Sequence, residues 1–290
     1  MKVLVTGANG QLGHDVMNEL RNRGHEAIST DIAGDVDYLL DITKDDAVEQ
    51  IRKIAPEAII HCAAWTAVDA AEEEENKEKV YAINVTGTKN VVNAAELLDC
   101  KLLYLSTDYV FNGQGEEPWK PDDKSYEPLS YYGETKLKGE FAVSDLPKFF
   151  IVRIAWVFGL NGKNFIRTMI NTAKTHDEVR VVNDQIGTPT YTYDLSRLLV
   201  DMIETEKYGY YHATNEGGYI SWYDFCVEIY RQAGLTTKVI PVTTIEYGLS
   251  KAKRPFNSRL DKSKLTENGF ERLPEWKDAL HRYLKEIGIL

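Results

Sequence analysis

Cysteine is scarce in this chain of 290 residues, and its three cysteines, Cys62, Cys100 and Cys226, stand at wide and unrelated spacings. An odd number of cysteines without a CxxC pair offers neither a disulfide framework nor a cysteine-based metal site, which indicates a reducing compartment. Positive charge is also in deficit, because 34 Lys and Arg face 45 Asp and Glu and leave a formal net charge of -11. Such a chain repels phosphate backbones, so we expect no nucleic-acid partner.

Long hydrophobic runs are missing as well. No apolar stretch approaches the roughly 20 residues of a membrane helix, and the first residues lead straight into a strand-like run without the basic and apolar regions of a signal peptide. We therefore expect no membrane partner and a cytoplasmic location. The composition, 43% hydrophobic and 27% charged, is that of an ordinary globular protein, with a length that suits one large domain or two modest ones.

What the sequence contains is a regular alternation of short apolar runs with amphipathic stretches. Five runs have the length and composition of buried parallel strands: 2–6, 26–30, 58–62, 101–106 and 149–154. Helical periodicity appears at 12–22, 45–54, 80–98, 132–143 and, near the end, 276–287. This order predicts an α/β fold with a Rossmann-type doubly wound parallel sheet. The alternation fades after about Trp156, so we expect 157–290 to form mainly a smaller C-terminal α/β lobe that binds the substrate.

A glycine-rich segment, Gly7, Gly10 and Gly13, joins the first predicted strand to the first predicted helix. Glycine lets the backbone approach a pyrophosphate, and a helix N-terminus attracts negative charge. The GxxGxxG spacing also fits a plain tight turn, but Asp31 ends the second strand, where a carboxylate can accept the hydroxyls of an adenosine ribose. We therefore expect 1–156 to form an NAD(P)-binding domain, with part of 180–215 as its candidate completion.

Cofactor preference and further contacts follow from the same region. No Arg directly follows Asp31 to pair with a ribose phosphate, which favours NADH over NADPH; a simple turn residue is the competing interpretation of Asp31. The other predicted cofactor contacts lie in the glycine loop or after the next apolar segments: Gln11, Leu12, Asp41, Ile42, Cys62, Ala63 and Ala64.

Tyr132 and Lys136 are spaced i, i+4 on a predicted helix, so their side chains share a face. A nearby ammonium can bring the pKa of a phenol towards the working range, and such a phenol can protonate a ketone oxygen while a nicotinamide delivers hydride. Tyr247 and Lys251 match the same spacing without supporting context. Thr107 ends the fourth strand at the carboxyl edge of the sheet, where its hydroxyl can bond the same oxygen, although a capping role is the simpler alternative.

Six motifs together carry a resemblance: GANGQLG, AAWTAVD, STDYVF, YGETK, RIAWVFG and DQIGTPT. In them the chain resembles the extended short-chain dehydrogenase/reductase superfamily over nearly its whole length, and more narrowly the dTDP-4-dehydrorhamnose reductases. The resemblance implies reduction of the 4-keto group of dTDP-6-deoxy-L-lyxo-4-hexulose by NADH or NADPH. It implies Tyr132 as proton donor, Lys136 as its partner and ribose ligand, and Thr107 as the hydroxyl that bonds the ketone oxygen.

The resemblance also implies contacts to the dTDP-sugar substrate from Thr66, Val68, Thr107, Asp108 and Trp156. Trp156 is a large amphipathic ring suited to stacking, with a core tryptophan as the alternative. Arg254 can bind a diphosphate bidentately, with a surface salt bridge as the alternative.

Some members of the resembled family dimerise around magnesium held by acidic residues. Asp15 matches one such position, but Tyr193 stands where a second glutamate would be, and Asp194 is only adjacent. A hard cation needs several converging oxygens, so we assign no metal. The sequence leaves open whether the chain forms a homodimer.

Two alternative functions stay open at the level of sequence. One is another nucleotide-sugar epimerase or dehydratase of the same superfamily, although a dehydratase carries Asp-Glu after the strand-ending threonine and here Asp108 precedes Tyr109. The other is a noncatalytic dinucleotide-binding regulatory subunit, in which we would expect the catalytic side chains to be eroded. Thr107, Tyr132 and Lys136 are all present, which favours catalysis.

Overall fold

The computed structural model describes all 290 residues. Its strands are β1 (Lys2–Thr6), β2 (Glu26–Asp31), β3 (Tyr38–Leu39), β4 (Ala58–His61), β5 (Lys101–Thr107), β6 (Phe149–Ile154), β7 (Val157–Phe158), β8 (Glu178–Val182), β9 (Ile186–Gly187), β10 (Thr190–Tyr191), β11 (Gly209–His212), β12 (Asn215–Glu216), β13 (Ile220–Ser221), β14 (Lys238–Val242) and β15 (Leu273–Glu275). Its α-helices are α1 (Gln11–Asn22), α2 (Ala47–Ile54), α3 (Val68–Ala71), α4 (Glu74–Tyr81), α5 (Thr88–Leu98), α6 (Tyr131–Ser144), α7 (Phe165–Ala173), α8 (Thr192–Ile203), α9 (Trp222–Ala233), α10 (Thr244–Tyr247), α11 (Ser263–Glu267) and α12 (Trp276–Glu286).

Seven strands form one sheet in the order β3-β2-β1-β4-β5-β6-β11, and every neighbouring pair is parallel. The predicted Rossmann-type sheet is therefore confirmed. Chain order reverses between β1 and β4, which makes the crevice above their carboxyl ends the expected ligand site. The seventh strand, β11, comes from well beyond the other six.

Two apolar cores cover the two faces of this sheet. One packs Val16 and Leu20 of α1 and Leu199 of α8 against β1, β4, β5 and β6. The other packs Ile51 of α2, together with residues of α5 and α6, against the opposite face. Strands buried on both faces need continuous apolar runs, and this is why β4 and β5 stand out in the sequence.

The predicted helix over 80–98 is wrong at its start. The helix begins at Glu74 as α4, passes through a π-helical segment at Ala82–Gly87 and continues as α5. Within that segment Asn84 is buried, and its amide oxygen accepts a hydrogen bond from the Trp65 backbone N–H at 2.8 Å, while its NH₂ donates to the Thr135 hydroxyl at 3.0 Å. π-Helical segments often serve functional sites, and this one fixes the loop after β4 beside α6.

A third core lies in the C-terminal part of the chain. There Phe158, Phe225, Trp276 and Tyr283 pack together, and the parallel pair β8–β14 lies beside α9. The predicted terminal helix is confirmed as α12, one residue shorter than predicted. No helix has the length and apolar character needed to cross a bilayer.

Candidate active site

The glycine loop lies at the carboxyl end of β1, where the chain turns into α1. Gly7 has a φ of +66°, and a Cβ there would lie 2.8 Å from the Ala63 backbone. A Cβ at Gly13 would overlap the Gly7 carbonyl oxygen and lie 2.9 Å from the Ala8 Cα. The absence of side chains therefore lets α1 pack on the strand and leaves its N-terminal N–H groups facing the crevice. A dinucleotide pyrophosphate fits this cradle.

A cavity of about 510 Å³ opens on one side of the loop. Asp31, Asp41, Ile42 and Ala63 line it, as predicted for the adenosine end of a cofactor. The Asp31 carboxylate is oriented by the backbone, because one oxygen accepts from the Asn9 N–H at 3.0 Å and the other from the Ile32 N–H at 2.7 Å.

A second cavity, of about 380 Å³, opens on the other side of the loop. Both cavities share Gly7, Gly10, Cys62 and Ala64 as lining residues, so together they form one continuous groove across the glycine loop. The remaining predicted residues that line this second cavity are Gln11, Leu12, Gly13, Thr66, Val68, Thr107, Asp108, Tyr132, Lys136 and Trp156. We call it the catalytic cavity.

Tyr132 lies in the first turn of α6, whose N-terminus is capped by the Ser130 hydroxyl accepting from the Gly133 N–H. Burial, and next the charge of Asp108, raise the pKa of Tyr132, while the Thr107 hydroxyl has a smaller lowering effect. The structure thus contradicts the expected lowering of this pKa. The phenol stays protonated at neutral pH, which is the state that a proton donor requires.

Lys136 is also buried, but its ammonium is engaged away from the Tyr132 hydroxyl. Its Nζ donates to the Leu105 carbonyl at 2.7 Å and lies 4.0 Å from the centroid of the Tyr104 ring. Burial lowers the pKa of Lys136 to about 7. With a pKa of about 7, the Lys136 amine carries its charge only part of the time near neutral pH, and it is directed at the Leu105 carbonyl. It therefore lowers the pKa of the Tyr132 phenol little, which explains why the expected effect is missing.

Polar groups cluster where β5 ends. The Thr107 hydroxyl donates to an Asp108 carboxylate oxygen, Oδ1, at 3.0 Å and accepts from the Tyr109 N–H at 3.3 Å. The other oxygen, Oδ2, and the Ser106 hydroxyl are buried without a hydrogen-bond partner. Burial raises the pKa of Asp108 to about 6, against the lowering effects of the Ser258 and Thr107 hydroxyls. Unpartnered buried polar atoms are rare, so this strand end is a site for chemistry or ligand binding.

Trp156 has a φ of +51°, which is unusual for a tryptophan. Its ring stacks on Trp222 with centroids 3.9 Å apart. Trp156 faces the catalytic cavity, while Trp222 lines a neighbouring cavity of about 320 Å³ in the C-terminal lobe. We call this third space the lobe cavity.

The structure separates Arg254 from the other predicted substrate residues. Arg254 lines the lobe cavity, where its two terminal nitrogens bond the two carboxylate oxygens of Asp69 at 3.1 and 2.7 Å. The salt bridge weighed as the alternative is therefore present. Tyr109 lines both cavities and connects this arginine to the catalytic cavity.

Residues that sequence reasoning missed lie in the same places. The lobe cavity is also lined by Arg180, Trp222 and Tyr247. The cavity that contains Asp31 is also lined by Lys44 and Lys79. Tyr247 drew attention only through its spacing to Lys251, and the other four lie in no motif. Only the folded chain brings these residues to the two cavities.

The acidic positions considered for magnesium have protein partners. Asp15 is buried and accepts a hydrogen bond from the Thr192 hydroxyl. Asp194 accepts two hydrogen bonds from Arg282, at 2.8 and 2.7 Å, and Tyr193 is partly exposed. A magnesium site stays unassigned.

Comparison with known proteins gives full-length matches. The family model described as RmlD substrate binding domain matches residues 1–289. The spore coat polysaccharide biosynthesis protein SpsK of Bacillus subtilis (strain 168) is 38% identical over 287 residues, which cover 98% of this chain and 97% of that protein. The crystal structure of a dTDP-4-dehydrorhamnose reductase from Clostridium acetobutylicum ATCC 824 is 44% identical, with a TM-score of 0.92 and 99% of each chain covered. The crystal structure of the dTDP-4-dehydrorhamnose reductase from Bacillus anthracis str. Ames in complex with NADP is 41% identical, with a TM-score of 0.91, and the match covers 99% of this chain and 100% of that one.

Proposed function

Because the chain belongs to the RmlD substrate binding domain family, we propose that it is an NAD(P)H-dependent dTDP-4-dehydrorhamnose reductase. It reduces the 4-keto group of dTDP-6-deoxy-L-lyxo-4-hexulose to give dTDP-L-rhamnose. The observation that carries the proposal is the continuous groove, which runs from Asp31 across the glycine loop to Tyr132 and Thr107. A dinucleotide and a ketone can lie end to end in such a groove.

Each part of the groove has a role in this proposal. Asp31 holds the adenosine ribose, the loop amides hold the pyrophosphate, and Lys136 holds the nicotinamide ribose. When bound, the nicotinamide supplies a hydride. Tyr132 gives its proton to the ketone oxygen, and the Thr107 hydroxyl bonds the same oxygen and keeps it directed at the phenol.

The sugar nucleotide occupies the catalytic cavity and the lobe cavity. Thr66, Val68 and Asp108 contact the deoxysugar, and the Trp156 ring stacks against it. Arg254 binds the diphosphate: Asp69 occupies only its terminal nitrogens, which leaves further N–H groups free to donate. The aromatic lining of the lobe cavity suits the nucleoside.

The decisive experiment compares Tyr132→Phe with its neighbour Tyr131→Phe in the oxidation of NADH, followed by absorbance, with the product identified as dTDP-L-rhamnose. Loss of a general acid typically slows the reaction by about 10²- to 10⁴-fold, so we expect that loss in kcat for Tyr132→Phe and unchanged cofactor affinity. Tyr131 bonds only the Lys77 carbonyl through its hydroxyl, so its variant should keep full activity. A fully active Tyr132→Phe enzyme would remove the proton-donor assignment.

Parallel reactions with NADH and NADPH test the cofactor preference. A carboxylate at Asp31 repels a ribose phosphate, so we propose the higher kcat/KM with NADH. Removing that charge in Asp31→Asn should raise kcat/KM with NADPH more than with NADH. If neither cofactor is consumed although both bind, the epimerase or regulatory-subunit alternatives would take the place of this function.

A further inference from the structure

The segment that carries Arg254 has little support from its own backbone. Residues 249–255 form no helix or strand, and we call them the arginine loop. None of their backbone groups bonds another backbone group. Only two of these groups have a hydrogen bond at all, because the N–H groups of Lys251 and Ala252 both donate to Asp69 Oδ1 at 3.0 Å. A single carboxylate therefore supplies every hydrogen bond that fixes the backbone of this loop.

The same carboxylate orients the Arg254 side chain. One terminal nitrogen of Arg254 donates to Asp69 Oδ1 at 3.1 Å, and the other donates to Oδ2 at 2.7 Å. Two parallel bonds of this kind fix the plane of a guanidinium as well as its position. Arg254 forms no other side-chain hydrogen bond in the structure, so the direction of its guanidinium depends on Asp69.

Asp69 reaches the arginine loop from the other side of the groove. It lies on α3, directly after Thr66 and Val68, which line the catalytic cavity. Asp69 and Arg254 both line the lobe cavity. Their contact therefore joins the segment that borders the sugar to the C-terminal lobe, and it does so in the wall of a ligand cavity.

We propose that Asp69 is a positioning residue for the substrate, which holds the arginine loop and directs the Arg254 guanidinium at the diphosphate of the sugar nucleotide. The inference rests on the proposed function, in which Arg254 binds that diphosphate. An arginine side chain has many rotamers to lose, so one that is already ordered binds its ligand more tightly. Asp69 takes one N–H from each terminal nitrogen, and the remaining N–H groups stay available for phosphate oxygens.

Asp69→Asn tests the orientation of Arg254 with little change in shape. The asparagine oxygen can still accept the Lys251 and Ala252 N–H groups, but its NH₂ replaces Oδ2 opposite a terminal nitrogen of Arg254, and two donors cannot pair. In calorimetric titrations dTDP should bind at least tenfold more weakly. NADH should bind within twofold of the unmodified protein, because Asp69 lines neither cavity of the cofactor groove.

Glu73→Gln is the matched control. Glu73 bonds the Lys251 side chain of the same loop, so this variant removes the same charge nearby without touching Arg254 or the loop backbone. It should bind dTDP within twofold of the unmodified protein. An equal loss in both variants would mean that negative charge near the loop matters and that the pairing with Arg254 does not, which would overturn the inference.

A double-mutant cycle tests whether Asp69 acts through Arg254. Arg254→Ala alone should weaken dTDP binding at least tenfold, and adding Asp69→Asn to it should cause less than a further twofold loss. Losses that multiply in the double variant would show that Asp69 acts independently of Arg254. Unchanged or tighter dTDP binding in Asp69→Asn would show that Asp69 competes with the diphosphate. Either result would overturn the positioning role.

Kinetics separate a failure of this inference from a failure of the proposed function. In the oxidation of NADH by the keto-sugar, the KM for the sugar nucleotide should rise more in Asp69→Asn than kcat falls, because Asp69 does not line the catalytic cavity. An unmodified protein that neither binds dTDP nor oxidises NADH would overturn the proposed function and the inference together. An active enzyme in which Asp69→Asn leaves both dTDP affinity and KM unchanged would overturn the inference alone.

Hydrogen exchange of the unmodified protein needs no variant. The pair is partly exposed, with 43% of the Asp69 side chain accessible, so its loss should not unfold the protein, but exchange keeps the inference testable if a variant fails to fold. The Lys251 and Ala252 amides should exchange at least tenfold more slowly than those of Ser250 and Lys253, which have no partner. Equal rates would contradict the hold of Asp69 on the loop.

Discussion

The packing of α1 on the glycine loop makes a sharp prediction for Gly13→Ala. The methyl group would overlap the Gly7 carbonyl oxygen and lie 2.9 Å from both the Gly7 carbonyl carbon and the Ala8 Cα. Carbon atoms in contact normally stay about 3.5–4.0 Å apart. Since all these neighbours are backbone atoms, no rotamer change relieves the overlap, and the loop or the helix must move by roughly half an ångström or more.

The size of the effect follows from that constraint. Overpacking typically costs about 1–3 kcal/mol, and backbone on every side places Gly13→Ala at about 3 kcal/mol. At about 2–4 °C per kcal/mol for a chain of this size class, the melting temperature should fall by about 6–12 °C. The displaced loop amides should also weaken NADH binding by about tenfold or more, equivalent to about 1.4 kcal/mol.

Thermal unfolding and NADH fluorescence titration measure the two effects separately. The matched control is Gly24→Ala, at the other end of α1, where a Cβ would meet nothing within 4 Å and only the positive φ of +75° opposes the change. That variant should lose about 1 kcal/mol and bind NADH normally. A Gly13→Ala protein with unchanged melting temperature and NADH affinity would refute the claim that this position needs glycine.

Three further predictions concern ionisable groups in or beside the core. Glu140→Gln removes the charged partner of the fully buried Arg153. In urea titrations it should lower the free energy of unfolding by about 3–5 kcal/mol, whereas Glu134→Gln, at an exposed position, should change it by less than about 1 kcal/mol. Equal effects of the two variants would contradict this prediction. Burial lowers the pKa of His61 to about 3, so below pH 6.5 the unfolded chain binds a proton at this histidine that the folded chain does not bind. The free energy of unfolding should therefore fall by up to about 1.4 kcal/mol for each pH unit on acidification. His61→Asn should have a flatter dependence on pH. Cys62 is only partly buried and lines the groove, but its surroundings raise the pKa of the thiol to about 12. Iodoacetamide at neutral pH should therefore label it slowly, as followed by mass spectrometry, and rapid labelling would contradict the raised pKa.

Local sequence patterns were sufficient to predict the sheet and the position of the groove. The strands of a doubly wound sheet are buried on both faces, so β4 and β5 appear as short apolar runs. The glycine loop is visible because the approach of Gly7 to Ala63 excludes any side chain. Asp31 and Thr107 were found because a parallel sheet brings the carboxyl ends of all its strands to one edge.

Contacts between residues that are far apart in the chain leave no local pattern in the sequence from which they could be predicted. Trp222 stacks on Trp156 from 66 positions away (222 minus 156), and Asp69 meets Arg254 across 185 positions. Nothing in the local spacing of either residue identifies its partner. The lobe cavity therefore could not be predicted, because it forms only where the C-terminal elements pack beside the catalytic cavity, and the Asp69 partner of Arg254 was equally invisible in the local sequence.

The Tyr132–Lys136 pair shows why a correct spacing can still give a wrong electrostatic prediction. Both residues line the catalytic cavity from one helix, as the i, i+4 pattern requires. Burial, however, acts on both groups in the direction that favours their neutral forms, raising the pKa of the phenol and lowering that of the ammonium to about 7. A buried pair of this kind is suited to reduction, since the phenol arrives protonated.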